Sequence, residues 1–201
     1  MDKEKKILDT ALKLFVEFGF HGTPTSKIAK DAGVANGTLF HYFATKETLI
    51  KELYVTIKNE LNQILASQTN PTDSIKEAFR KLYFTTINWA LINQDKFYYI
   101  QQVHFSPHLA QIPAEVLHEQ SKMHIAFIEK AKASGEIKIM PNELLYTLVN
   151  SQIMGIYQYA LTQPTDQQQD SIEQGFEMIW DLICSPQSIA GGVPLQESKS
   201  I

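Results

Sequence analysis

Three observations predict an all-α fold. Apolar residues recur three and four positions apart along most of the chain, no window sustains the alternation of a half-buried strand, and the breaks are filled with Gly, Pro, Asn, Ser and Thr. The expected layout is a three-helix head over residues 1–50, a longer helical body over 51–184 and a tail over 185–201.

The first stripe comprises Ile7, Leu8, Ala11, Leu12, Leu14, Phe15 and Phe18, with Lys and Glu between them, and Gly19 ends it. "HGTPTS" is turn chemistry, in which Thr25 or Ser26 suits the N-cap of a short helix "KIAKDA" that Gly33 closes. "GVAN" makes the next turn, with Asn36 as the expected N-cap of a second short helix. Thr45, followed by Glu47 in the first turn and Thr48 three positions on, starts a long helix that runs to about Gln68. The polar break "SQTNPTDS" separates head from body, and helices are expected over 73–93, 96–105, 113–134, 142–161 and 168–184. "SPQSIAGGVPLQESKSI" has the Pro, Gly and Ser content of a tail.

Composition narrows the function. The chain has 201 residues, 44% of them apolar, and no apolar run approaches the roughly 18 residues of a membrane span. The N-terminal stretch intersperses charges with its apolar positions and lacks the core of a signal peptide, so a cytoplasmic location is expected. The single cysteine, Cys184, forms no internal disulfide and suits a reducing compartment. The net charge is −4, yet eight Lys and six acids up to Lys51 give the head +2 and leave −6 to the rest. That asymmetry suits a small nucleic-acid-binding unit on an acidic body. No nucleophile elbow, P-loop or zinc-protease motif occurs, so no enzyme, catalytic residue or cofactor is expected. His104 and His108 have the spacing of two metal ligands, but Pro107 interrupts a helix there and no third ligand is nearby, so no metal site is expected.

Two short helices joined by a glycine-containing turn form a helix-turn-helix, whose second helix enters the DNA major groove while the first crosses the backbone. Within "GVANGTLFHYFATKE", Leu39 and Phe43 would point inward onto Ile28, Ala29 and the first helix, leaving the polar and aromatic tips for base edges and phosphates. The stretch "TPTSKIAKDAGVANGTLFHYFATKETL" resembles the DNA-binding signature of the tetracycline-repressor (TetR) family, and the resemblance covers residues 7–53. One departure is Pro24-Thr25-Ser26 in place of the usual apolar residue after the threonine. The resemblance implies that Thr25, Ser26 and Lys27 lie against phosphate or a base edge. It further implies that Ala35, Asn36, Gly37 and Thr38 approach the major groove, that Phe40 and His41 flank a base or sugar, and that Tyr42 and Lys46 contact phosphates. The residue types suit these roles: Gly37 allows close backbone approach, helix N-termini favour anions, and hydroxyls and Lys are common phosphate partners. Taken singly, Phe40 and Tyr42 also fit an aromatic core edge, and Gly33 and Gly37 fit ordinary turns. The head contains no arginine, Arg80 being the only one in the chain, so A·T-rich contacted positions are expected.

In the body, polar groups stand on otherwise apolar faces. Trp89, Phe97, Ile100, His104, Met123, His124, Phe127 and Gln152 are the candidate liners of a mostly apolar small-molecule pocket, although the same residues also fit a filled core. The stripe Ile172, Phe176, Ile179, Trp180 and Ile183, with Ile156 and Tyr159 on the preceding helix, either closes the core or pairs with its twin in a second chain. The resemblance implies the pairing, and with it a homodimeric, ligand-responsive regulator of transcription, most simply a repressor of a pseudo-palindromic operator. The alternative is a DNA-binding adaptor controlled by a protein partner, without a small-molecule inducer.

Overall fold

The computed structural model describes residues 2–186, and among them the regular structure is helical. In order, the helices are α1 (Lys3–Phe18), α2 (Thr25–Asp31), α3 (Asn36–Tyr42), α4 (Lys46–Gln68), α5 (Ile75–Ile92), α6 (Gln94–His104), α7 (Ala114–Ala133), α8 (Asn142–Thr162) and α9 (Thr165–Ile183), with a 3-10 turn at Leu109–Gln111 before α7. No strand occurs among the described residues, where Ile137 and Cys184 form an isolated antiparallel bridge.

The helix ends differ from expectation where capping decides them. α5 starts at Ile75 because Ser74 and Glu77 form a capping box: the Glu77 N–H donates to Ser74 Oγ (3.3 Å) and the Ser74 N–H donates to Glu77 Oε2 (3.0 Å). Thr25, Ser26 and Asn36 are not caps. α2 and α3 are entered through Pro24 and Ala35 with no side-chain capping bond, and Asn36 belongs to the first turn of its helix. Thr45 does cap α4, accepting from the Thr48 N–H at 3.1 Å. α9 begins at Thr165, after Pro164, three residues ahead of the expected start.

Packing divides the described residues into two compact units, one of 2–64 and 89–120, the other of 65–88 and 121–186. In the first unit, Ile28, Ala29, Leu39 and Phe43 are buried with Ile7, Ala11 and Phe15 of α1, as the head's apolar spacing requires. Gly19 and Gly33 both sit at φ +68°, the left-handed region that ends α1 and makes the turn between α2 and α3. Thr23 is fully buried, and its Oγ1 lies 2.9 Å from the Leu14 carbonyl and 2.8 Å from that of Gly19, fixing the turn after α1. α6 joins this unit through Tyr99, which is fully buried, donates its hydroxyl to the Ile50 carbonyl (2.8 Å) and packs on Phe15 and Phe20. Burial holds the Tyr99 hydroxyl well above its ordinary pKa, so it stays a donor.

In the second unit, Phe79 and Tyr83 of α5 pack against Phe176 of α9, and the Tyr83 hydroxyl donates to the Ile172 carbonyl (2.8 Å). Gly175 is required by close approach, since a Cβ there would lie 2.7 Å from both the Tyr83 hydroxyl and Ile156. Arg80 spans the edge of this cluster over Phe84 (4.5 Å) and donates to Glu173 (2.7 Å), which accounts for the chain's one arginine. Beyond α9, the Ser185 N–H donates to the Glu136 carbonyl (2.8 Å), and the expected tail from residue 187 onward lies outside the described residues.

Candidate nucleic-acid interface

α3 has two sides of opposite character. Leu39 and Phe43 are 0% and 1% exposed, whereas Phe40 and Tyr42, their neighbours, are 41% and 40% exposed. Leaving two large aromatic side chains in water forgoes burial that the inward positions obtain, so the aromatic core edge does not describe them. None of the residues expected at DNA is buried: Ser26, Ala35, Asn36, Gly37, Phe40, His41 and Tyr42 are exposed, and Thr25, Lys27, Thr38 and Lys46 are half-buried. Both short helices and the first turn of α4 belong to one unit, so these residues share one rigidly packed support.

The two glycines separate cleanly. Gly33 is a turn glycine by its backbone angle. Gly37 has no such requirement, and a Cβ built on it would meet nothing within 4 Å. Its lack of a side chain leaves that side of α3 open to the outside.

The two lysines differ from free phosphate ligands. Lys27 is paired with Asp31 at 3.1 Å, one helical turn along α2, and stands over the Phe18 ring at 5.4 Å. Lys46 donates to the Phe20 carbonyl, tying the start of α4 to the turn after α1. Desolvation lowers the Lys46 pKa, with Glu47 opposing. Its partner lies 26 residues away in sequence, and no local pattern signals the bond.

The candidate pocket liners divide between the two units. Trp89, Phe97 and Ile100 are buried in the first, where His104 is exposed at the end of α6; Met123, His124 and Phe127 are half-buried in the second. Phe127 stacks on Phe79 at 6.4 Å, and His124 meets Tyr146 edge-on at 5.4 Å. Gln152 is a correction: it is exposed on α8, whose buried residues are Leu145, Ile153, Tyr157 and Ala160, so it is not a polar group on an inward face. His104 and His108 do not share a helix face, because α6 ends at His104 and His108 packs edge-on to Phe20 at 4.8 Å. No group of three or more potential metal ligands occurs among the described residues.

The expected dimer stripe is also corrected. Ile172, Phe176, Ile179, Trp180 and Ile183 are all buried within the single chain, so their periodicity reports the chain's own core. Of the two residues assigned on α8, Ile156 is half-buried and Tyr159 is 55% exposed. The large apolar side chains left outside on α8 and α9 are Leu144, Tyr159, Leu161, Met178 and Leu182.

Sequence reasoning also missed Lys58. It lies on the core face of α4 between buried Tyr54, Ile57 and Leu61, and only 8% of it is exposed. A lysine interrupting an apolar stripe at helical spacing was the available signal.

A head of three helices, with a second short helix presenting exposed polar and aromatic side chains beside a glycine turn, defines a helix-turn-helix protein carried on a helical body. Residues 7–53 match the model of bacterial regulatory proteins of the tetR family, and residues 54–185 match that of the tetracyclin repressor-like C-terminal domain. The chain belongs to the TetR family of bacterial transcription regulators. A TetR-family transcription regulator from Shewanella sp. PV-4 is similar in structure, with a TM-score of 0.86 and 32% identity, the match covering 92% of this chain and all of that one. The regulator RutR of Escherichia coli K12 is 41% identical over 80 residues, which cover 40% of this chain and 34% of RutR. The regulator YhgD of Bacillus subtilis is 30% identical over 94 residues, covering 47% of this chain and 49% of YhgD. The chain thus spans about half or less of the length of these two curated relatives. No described helix is long and apolar enough to cross a membrane.

Proposed function

We propose that the protein is a homodimeric transcriptional repressor that binds a pseudo-palindromic operator through α3 and releases it when a small, mostly apolar molecule binds the body. The observation that carries the DNA reading is the division of α3, with Leu39 and Phe43 buried and Asn36, Gly37, Phe40, His41 and Tyr42 outward. Asn36 is the side-chain type that pairs with adenine, and Ala35, Thr38 and Phe40 suit thymine methyls. Tyr42, Thr25 and Ser26 supply hydroxyls to phosphate, Lys46 a charge, and Lys27 exchanges Asp31 for phosphate at the backbone.

For the dimer, a single recognition helix reads too few bases for useful specificity, and a two-fold protein matches two half-sites. The seam we assign is the outer stripe of α8 and α9. Leu144, Leu148, Ser151, Gly155 and Tyr159 follow one another at helical spacing on α8, and Met178 and Leu182 do so on α9.

For release, α4 is one unbroken helix from Lys46 to Gln68. Tyr99 ties α6 to its first half at Ile50, and Lys96 of α6 pairs with Glu60 further along. A ligand that displaces α6 therefore moves the helix that positions the head. A coupling of about 1–3 kcal/mol changes operator affinity roughly 5- to 150-fold.

Gel-shift titration of the intergenic DNA beside the protein's own gene tests the reading, with Asn36→Ala and Tyr42→Phe as controls. Saturable binding of a duplex with two half-sites, weakened by both substitutions, is the expected result. Equal binding of unrelated DNA by wild type and both variants would overturn it.

A further inference from the structure

A cavity of about 230 Å³ lies in the first unit, between the first turns of α4 and the segment that joins α6 to α7. At the roughly 30 Å³ that a water molecule occupies, it has room for a solute of about eight heavy atoms. Its inner wall is apolar: Ile50 and Ile112 are 1% and 5% exposed.

The outer lining carries both signs of charge on one helix. Glu47 and Lys51 both border the cavity and stand four residues apart on α4, the spacing at which a carboxylate ordinarily pairs with the ammonium that follows it. Lys51 pairs instead with its chain neighbour Glu52 (2.9 Å), a part-exposed contact of a kind that contributes little and yields readily to a better partner. Glu47 is exposed, and its own backbone N–H and the Thr45 hydroxyl hold its carboxyl below the ordinary pKa, so it is ionised at neutral pH. The α6–α7 segment adds His108 and Gln111 to the same lining. The His108 ring is fixed on two sides, with Nδ1 3.3 Å from Gln111 Oε1 and its edge 4.8 Å from Phe20. Phe20 in turn accepts from Lys46 through its carbonyl, so the cavity adjoins the side chain assigned to an operator phosphate.

We infer that this cavity binds a small zwitterion, an α-amino acid with a compact apolar side chain. The ligand's ammonium meets Glu47, its carboxylate draws Lys51 away from Glu52, and its side chain lies on Ile50 and Ile112. A simple anion or cation would satisfy one of the two charges and leave the other as it is, and a wholly apolar solute would satisfy neither. A zwitterion answers both and brings no net charge into the site. This site is separate from the inducer site of the reading above and does not depend on it.

The test is titration calorimetry on the full chain with L-valine, L-leucine and L-proline, with the desamino and decarboxylated analogue of each, and with inorganic phosphate. At least one amino acid should bind wild type saturably. Its two analogues should each bind on the order of tenfold to a hundredfold more weakly, because each has lost one charged contact. Glu47→Gln should weaken the amino acid by a similar factor and leave the desamino acid unchanged. Lys51→Gln should weaken the amino acid and leave the decarboxylated amine unchanged. Circular dichroism verifies that the variants are folded, and the comparison of analogues on wild type decides the matter without them. The inference is overturned if no amino acid binds at millimolar concentration, if either analogue or phosphate binds as tightly as the amino acid, or if either folded variant binds the amino acid as wild type does.

Discussion

Replacing Met178 by glutamate is expected to separate the proposed dimer into folded monomers, whereas Phe176→Glu, two residues away, should unfold the second unit. Met178 is 69% exposed in the single chain and Phe176 is fully buried. Burying a Met completely contributes about 1.5–3 kcal/mol, so covering its exposed part contributes roughly 1 kcal/mol per protomer and roughly 2 per dimer. Two carboxylates brought together near a two-fold axis add a desolvation and repulsion cost of about 2 kcal/mol or more. The total of about 4 kcal/mol corresponds to roughly a thousandfold weaker dimer. Phe176 instead packs on Phe79, Tyr83 and Phe84, and replacing that fully buried ring by a shorter, charged side chain should cost about 3–5 kcal/mol of fold stability, even with Arg80 and Lys76 standing 5.1 and 5.7 Å from the ring. Sedimentation velocity across a concentration series, with circular dichroism on the same samples, separates the two outcomes. If Met178→Glu stayed dimeric at low micromolar concentration, or Phe176→Glu gave a folded monomer, the assignment of inner and outer faces on α9 would be wrong.

Asn36→Ala should cost roughly 1–3 kcal/mol at one base position and relax preference there, measured by selection from randomised half-sites. Lys46→Ala should weaken all sequences alike and lower the salt slope by about one per half-site; because Lys46 also donates to the Phe20 carbonyl, a lower melting temperature should accompany it. Thr23→Val removes a fully buried hydroxyl from two carbonyls and should cost about 1–2 kcal/mol, read from urea denaturation. His104 is held below its ordinary pKa of 6.5 in the folded chain, so the unfolded chain takes up a proton first as the pH falls. That contribution to stability is complete above about 6.5 and is lost as the pH drops toward the folded value, so His104→Gln should flatten the melting profile between pH 7 and 5.

The helix-turn-helix was legible in the sequence because it is local. Gly33 marks a left-handed turn, Leu39 and Phe43 mark the inner face of α3 by spacing, and Thr45 caps α4, all within 13 residues. Helical class was legible for the same reason, since period alone separates helix from strand. Local pattern does not say which of two apolar surfaces a helix keeps inside. The stripe through Phe176 looked like a seam and is core, while the seam we now assign, through Tyr159 and Met178, is a sparser pattern that stands out only after the core has been filled. Long-range partners were equally invisible: the Phe20 carbonyl that receives Lys46 and the Ile50 carbonyl that receives Tyr99 lie 26 and 49 residues away in sequence. A lysine in an apolar stripe can be seen in a sequence, but that Lys58 is only 8% exposed is decided by the elements that pack against α4, which local pattern does not name.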